Sequence, residues 1–153
     1  MPVMQAYENN QPAYFATPPV QLIYALNTTL KAIVENSKCT LDERFKKHED
    51  VSLKFKKVIE SWGLKQLACE PGYQANGMTT IRYPSGVKGA DLLKSIVKRG
   101  VVVAGGLHKE CKDEYFRVGH MGESVVNEQR KDVDKVLQVI KEGLNELGYA
   151  DAK

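Results

Sequence analysis

Residues 115–122 read YFRVGHMG. A short, apolar, β-prone run carries one arginine, Arg117, at its centre, and Gly119 and Gly122 follow. Strand alternation sends Tyr115, Arg117 and Gly119 to one face and Phe116, Val118 and His120 to the other. One face is suited to sealing a core, and the other carries a guanidinium. That group is always charged, and its two-pronged fork fits a carboxylate. A surface salt bridge is the competing reading of the same residue.

Working outward, the stretch reads as the last strand of a small sheet. Residues 78–83, MTTIRY, form a second strand rich in β-branched and aromatic residues. Residues 67–70 read as a short strand, and residues 101–104, VVVA, as a buried one closed by Gly105 and Gly106. Residues 71–77, PGYQANG, are turn chemistry. Between the strands, residues 90–99 form an amphipathic helix with Leu92, Leu93, Ile96 and Val97 inward and Gly100 as its stop. A final helix spans about 127–147, with Val133, Val136, Leu137, Ile140, Leu144 and Leu147 inward.

Upstream, Thr17-Pro18-Pro19 reads as a helix start, with Thr17 as cap and proline in the first turn. That helix runs to about Asn36 behind a stripe of Val20, Ile23, Tyr24, Leu26, Leu30, Ile33 and Val34. A second helix, 41–62, buries Leu41, Phe45, Leu53, Phe55, Val58, Ile59 and Trp62, and Gly63 ends it. Lys46, Lys47, Lys54, Lys56 and Lys57 read as its solvated outer face. Residues 1–16 show neither period and read as an extended, turn-bearing arm, as of a chain entered midway. The order predicts an α+β fold, a small and mostly antiparallel sheet covered by helices. The arm and first helix, 1–36, are assigned to the end of a larger neighbouring domain, and 37–153 to a small C-terminal domain.

The 153 residues suffice for one ordinary domain with a real core. A hydrophobic share of 42% and a charged share of 27% mark a globular chain, not a disordered one. The net charge of +3 comes from interspersed lysines and acids, without the basic stripe and aromatics that nucleic acid favours. No apolar run reaches membrane-spanning length, no leader opens the chain, and its last three residues form no targeting tripeptide. The 3 cysteines, Cys39, Cys69 and Cys111, fit reduced thiols, and neither they nor His48, His108 and His120 have metal-ligand spacing.

AYFATPPVQLIYAL (13–26), VVVAGGLHKE (101–110) and YFRVGHMG together resemble the C-terminal part of the class V, fold type I, pyridoxal-phosphate aminotransferases, and most of all the fungal form of the alanine:glyoxylate (serine:pyruvate) aminotransferases. The resemblance covers essentially the whole chain. It implies that Arg117 grips the α-carboxylate of the amino-acid or keto-acid substrate. It also implies that Gly105 and Gly106 lie at the substrate mouth. Tyr14 and Thr17 would reach, in a homodimer, the phosphate of the neighbouring subunit's pyridoxal phosphate. The compartment would be peroxisomal, mitochondrial or cytosolic. The family's cofactor-holding lysine lies in its large domain, and no lysine here matches that motif. The chain alone is therefore expected not to transaminate. The alternative is a non-catalytic module that dimerises with full-length subunits. Cys111 lies six residues before Arg117, closer than the nucleophilic loop cysteine of the related desulfurases, and its surroundings do not match theirs.

Overall fold

The computed structural model describes residues 2–14, 16–35 and 39–149. The chain divides into two compact units, residues 1–41 and 42–153.

In the first unit, α1 (Pro2–Glu8) is helical where the sequence suggested an extended arm. Pro2 occupies a first-turn position, where its missing N–H costs nothing, and Met4, Gln5 and Ala6 favour helix. Asn10, at a left-handed φ of 53°, turns the chain away. The second helix, α2 (Val20–Val34), begins later than the Thr17 cap implied: its N-cap is Pro19 and no side chain caps it. Thr17 and Pro18 each precede a proline, which holds both out of helical conformation. The expected end near Asn36 lies outside the described residues. Along α2 every side chain of the apolar stripe is exposed except half-buried Ile33.

All of α3 (Leu41–Ser61) but its first residue belongs to the second unit. Gly63, at φ 74°, ends it, and the Leu64 N–H reaches back to the Ile59 carbonyl. This is the left-handed stop that glycine adopts without steric cost. Then follow β1 (Met78–Arg82), α4 (Gly89–Lys98), β2 (Ala104–Gly105), β3 (Tyr115–Gly119), α5 (Glu123–Val126) and α6 (Asp132–Glu146). The three strands pair antiparallel in the order β1-β3-β2. Their register sets Thr79 against Val118 and Ile81 against Phe116 on the core face, with Thr80 against Arg117 on the other. Phe55, Ile59, Leu92, Ile96, Ile140 and Leu144 are buried in the same core cluster as Ile81 and Phe116. Gly143 lets α4 and α6 approach, since a Cβ there would lie 3.1 Å from Leu92 and 3.2 Å from Ser95. Arg99 clamps the pair through Glu142 at 3.2 Å and Glu146 at 2.8 Å.

Four expectations are corrected. Residues 67–70 form no strand: one bridge, Gln66 to Ile81, precedes the 3-10 turn Pro71–Tyr73. The proline and glycine of that turn divert the chain before a ladder can form. The strand at 101–104 shrinks to Ala104–Gly105, and Val102 is 84% exposed. The helix expected from 127 begins at Asp132, because Lys131 takes a left-handed φ of 53° after α5 and a short 3-10 turn. On α3, Leu41, Phe45 and Leu53 are exposed, while Lys56 lies inside at 4% exposure.

The burial of Lys56 is answered locally. Its Nζ donates to the Ala75 carbonyl at 2.8 Å, and the Ser52 hydroxyl reaches the same oxygen at 3.4 Å. Burial lowers the Lys56 pKa, against a smaller opposing pull from Glu60. His120 is buried too, 5.2 Å from the Phe55 ring and with Nε2 2.7 Å from Thr79 Oγ1. Its Nδ1 has no hydrogen-bond partner among the described residues. Burial pushes the His120 pKa below its ordinary 6.5, and the charge on Lys56 adds to the effect. The unfolded chain thus takes up a proton as pH falls through 6.5 while the folded chain resists it. Urea unfolding is therefore expected to show lower stability at about pH 5.5 than at about pH 7.5, levelling off once pH passes the folded-state value. His120→Gln is expected to flatten that dependence; an unchanged slope would assign it to other groups.

Candidate functional site

Arg117 occupies the middle of β3, the central strand, opposite Thr80 of β1 and Ala104 of β2. Phe116 and Val118, its neighbours in sequence, are buried in the core, so alternation turns Arg117 to the sheet's outer face. Its Nε donates to the Gly105 carbonyl at 2.8 Å. That bond fixes the plane of the guanidinium. The two Nη atoms have no hydrogen-bond partner among the described residues, and Arg117 makes no ion pair there. The salt-bridge reading of Arg117 therefore finds no acid among them. Arg82, on the same strand face as Thr80, does have one: Glu114 at 2.6 Å.

On the face of Arg117, a Cβ at Gly119 would meet no atom within 4 Å. Gly105 pairs with Phe116 and so faces the core, where a Cβ would touch Leu93 Cδ1 at an ordinary 3.8 Å. Arg117 shares its face with Thr80, Arg82, Ala104, Tyr115 and Gly119, and its two Nη nitrogens are left for a planar anion. Such an arrangement can hold and orient a carboxylate.

Gly106 differs from Gly105. A Cβ there would collide with the Lys112 carbonyl and lie 2.7 Å from Tyr115 Cε1. The glycine pair, read as one motif, therefore has two roles: Gly105 supplies a carbonyl to the arginine, and Gly106 makes room for the loop that returns over the sheet. Cys111 lies within that return, where its N–H donates to the His108 carbonyl and its carbonyl accepts from Glu114.

Tyr14 and Thr17 belong to the first unit. Their hydroxyls lie 2.9 Å apart, and Tyr14 is 78% exposed. Thr17 bonds to Tyr14 in place of the helix cap expected of it.

His48 was not legible as a supporting residue. Its Nδ1 lies 2.7 Å from the Arg44 carbonyl, so Nδ1 carries the proton and Nε2 accepts the Gly122 N–H at 2.9 Å. The histidine of α3 thereby holds the turn that leaves β3. Seventy-four residues separate the partners, and no local pattern marks the bond. Among the described residues no group of three or more His, Cys, Asp or Glu is placed to hold a metal ion, and no helix is long and apolar enough to cross a membrane.

The second unit is an α+β domain with an oriented arginine on the outer face of its sheet, and comparison with known proteins makes the class definite. The chain is 34% identical over 142 residues to alanine–glyoxylate aminotransferase 1 of Saccharomyces cerevisiae, a match covering 92% of this chain and 35% of that one. It is 28% identical over 117 residues to the serine–glyoxylate aminotransferase of Methylorubrum extorquens, covering 76% of this chain and 28% of the relative. Among solved structures, an alanine–glyoxylate aminotransferase from Nostoc sp. superposes with a TM-score of 0.74 at 26% identity, covering 94% of this chain and 36% of that one. No family model matches. The chain is a homologue of the class V alanine/serine–glyoxylate aminotransferases and corresponds to their C-terminal portion, spanning about a third of their length.

The glycine geometry makes a direct prediction. Gly106→Ala is expected to destabilise the fold by roughly 1–3 kcal/mol, because a backbone carbonyl and a buried ring must give way. Gly105→Ala is expected to stay within about 0.5 kcal/mol of the parent, as for a site with room. Thermal or urea unfolding of the two variants checks the contrast; equal losses would contradict it.

Proposed function

We propose that the chain is the substrate-gripping portion of a pyridoxal-phosphate aminotransferase that moves an amino group from alanine, or serine, to glyoxylate. The observation that carries this reading is Arg117, fixed through Nε to the Gly105 carbonyl with its Nη pair directed to neither acid nor acceptor among the described residues. In that role the guanidinium binds the α-carboxylate and sets the orientation of the reacting carbon. The Gly105 carbonyl holds the guanidinium, and Gly106 lets the loop pass close beside it.

Tyr14 and Thr17 fit the cofactor's phosphate. Their hydroxyls supply two donors 2.9 Å apart, available to phosphate oxygens once they turn from each other. In a homodimer they would serve the neighbouring subunit's cofactor. Pyridoxal phosphate, when bound, supplies the electron sink for breaking bonds at the substrate's α-carbon. Arg117 and the two hydroxyls orient substrate and cofactor. No lysine here matches the family's cofactor-holding lysine, so the chain alone does not transaminate.

A second reading is favoured by α2, whose stripe is exposed at Tyr24 and Val34 to 65% or more, with Leu22 beside it at 70%. Exposed apolar surface of this kind marks a contact surface. The chain would then act as a non-catalytic module pairing with full-length aminotransferase subunits. Co-elution of the purified chain with a full-length subunit tests this reading, and separate elution with unchanged activity rejects it.

The first reading is tested by titrating the chain with glyoxylate and following backbone amide resonances. Saturable shifts are expected at Gly105, Thr80 and Gly119, and Arg117→Gln is expected to weaken the response by about tenfold or more. An unchanged response in that variant would remove Arg117 from the role. Borohydride reduction with added pyridoxal phosphate is expected to label no single lysine; one dominant labelled lysine would overturn the claim that the chain cannot hold the cofactor covalently.

A further inference from the structure

Tyr115 lies two residues before Arg117 on the same strand face, yet it is only 4% exposed. The loop leaving β2 covers it. Its phenol oxygen accepts two successive backbone bonds, from the Leu107 N–H at 3.0 Å and the His108 N–H at 3.1 Å. Its ring edge lies where a Cβ of residue 106 would be, 2.7 Å from Cε1. The same side chain therefore pins residues 107 and 108 by hydrogen bonds and bounds residue 106 by contact. Immediately before them stands Gly105, whose carbonyl accepts from Arg117 Nε.

We propose that Tyr115 is a positioning residue for the anion grip: its hydroxyl fixes the 106–108 loop, and through it the Gly105 carbonyl that orients Arg117. The inference rests on the reading of Arg117 as that grip. The physical chain has three links. Two N–H donors converge on one buried oxygen, which restricts the backbone at two consecutive residues. That restriction holds the end of β2, which pairs with β3 at only Ala104 and Gly105 and has little ladder of its own. The held carbonyl then restrains the guanidinium, so less of its freedom is lost when a carboxylate binds. Tyr115→Phe keeps the ring and its packing but leaves two loop amides without their acceptor.

The test uses the whole chain and the Arg117 Nε–H resonance, whose exchange with water reports the bond to Gly105. Tyr115→Phe is expected to speed that exchange by about tenfold and to weaken glyoxylate binding severalfold, the scale of one lost hydrogen bond. Val139→Ala, a core change in α6 away from the loop, serves as the control for simple destabilisation. It is expected to lower the unfolding midpoint while leaving the Nε–H exchange and the glyoxylate response at parent values. Unchanged Nε–H exchange in Tyr115→Phe, or equal acceleration in Val139→Ala, overturns the positioning role. If Arg117→Gln abolishes the glyoxylate response while Tyr115→Phe preserves it, the grip stands and the positioning role falls. If Arg117→Gln leaves the response intact, or the parent shows none, the grip falls and the proposal with it.

Discussion

The two-residue alternation of β3 is the constraint from which the rest of the second unit follows. This strand is central, so both of its edges are used in pairing and its faces must divide the remaining work. Phe116 and Val118 close the core against α3, α4 and α6, and that burial sets the register against Thr79 and Ile81. A slip of one residue would place Arg117 in the core and Phe116 outside, an exchange too costly to be populated. The position of the guanidinium is thus enforced by the apolar residues on either side of it. A site built on a central strand in this way inherits the rigidity of the core.

The same unit tolerates expensive burial near that strand. Lys56 and His120 both lie inside, one donating to a loop carbonyl and the other paired with Thr79 through one ring nitrogen. Replaced by apolar residues of similar volume, such groups often leave stability unchanged or improved. Lys56 ties α3 to the loop before β1, and the bond between His120 and Thr79 ties the segment after β3 to β1. His48 adds a tie from α3 to Gly122. The turn after β3 is therefore held by two side chains from other elements, Thr79 and His48, although its own sequence, with two glycines, would leave it loose.

Much of the fold was legible because the signals are local. The 78–82 and 115–119 strands, the 89–98 helix and the glycine stop at Gly63 follow from alternation, helical spacing and backbone preference. The misreadings have different causes. Residues 101–104 look like a buried strand, yet the chain pairs only at Ala104 and Gly105, and Val102 faces solvent. Lys56 looks like its neighbours Lys54 and Lys57, and helical phase alone separates a buried ammonium from two exposed ones. Leu41, Phe45 and Leu53 match an apolar stripe but are exposed. Residues 2–8 lack a hydrophobic period, and a first-turn proline with good helix formers makes them helical regardless.

The sequence by itself determined the α+β class, the identity of Arg117 as the residue to watch, and the resemblance that homology bears out. These depend on which residue types lie at which spacing, and that information is complete in one dimension. The tertiary structure alone decided how the arginine is held. The Gly105 carbonyl lies twelve positions away, Tyr115 reaches the Leu107 and His108 amides across the returning loop, and His48 reaches Gly122 from another helix. Each bond joins a side chain to a backbone group, and every residue but proline offers a backbone N–H. Since nothing in the partner's identity marks such a bond, only the folded path of the chain reveals which amide or carbonyl meets which side chain.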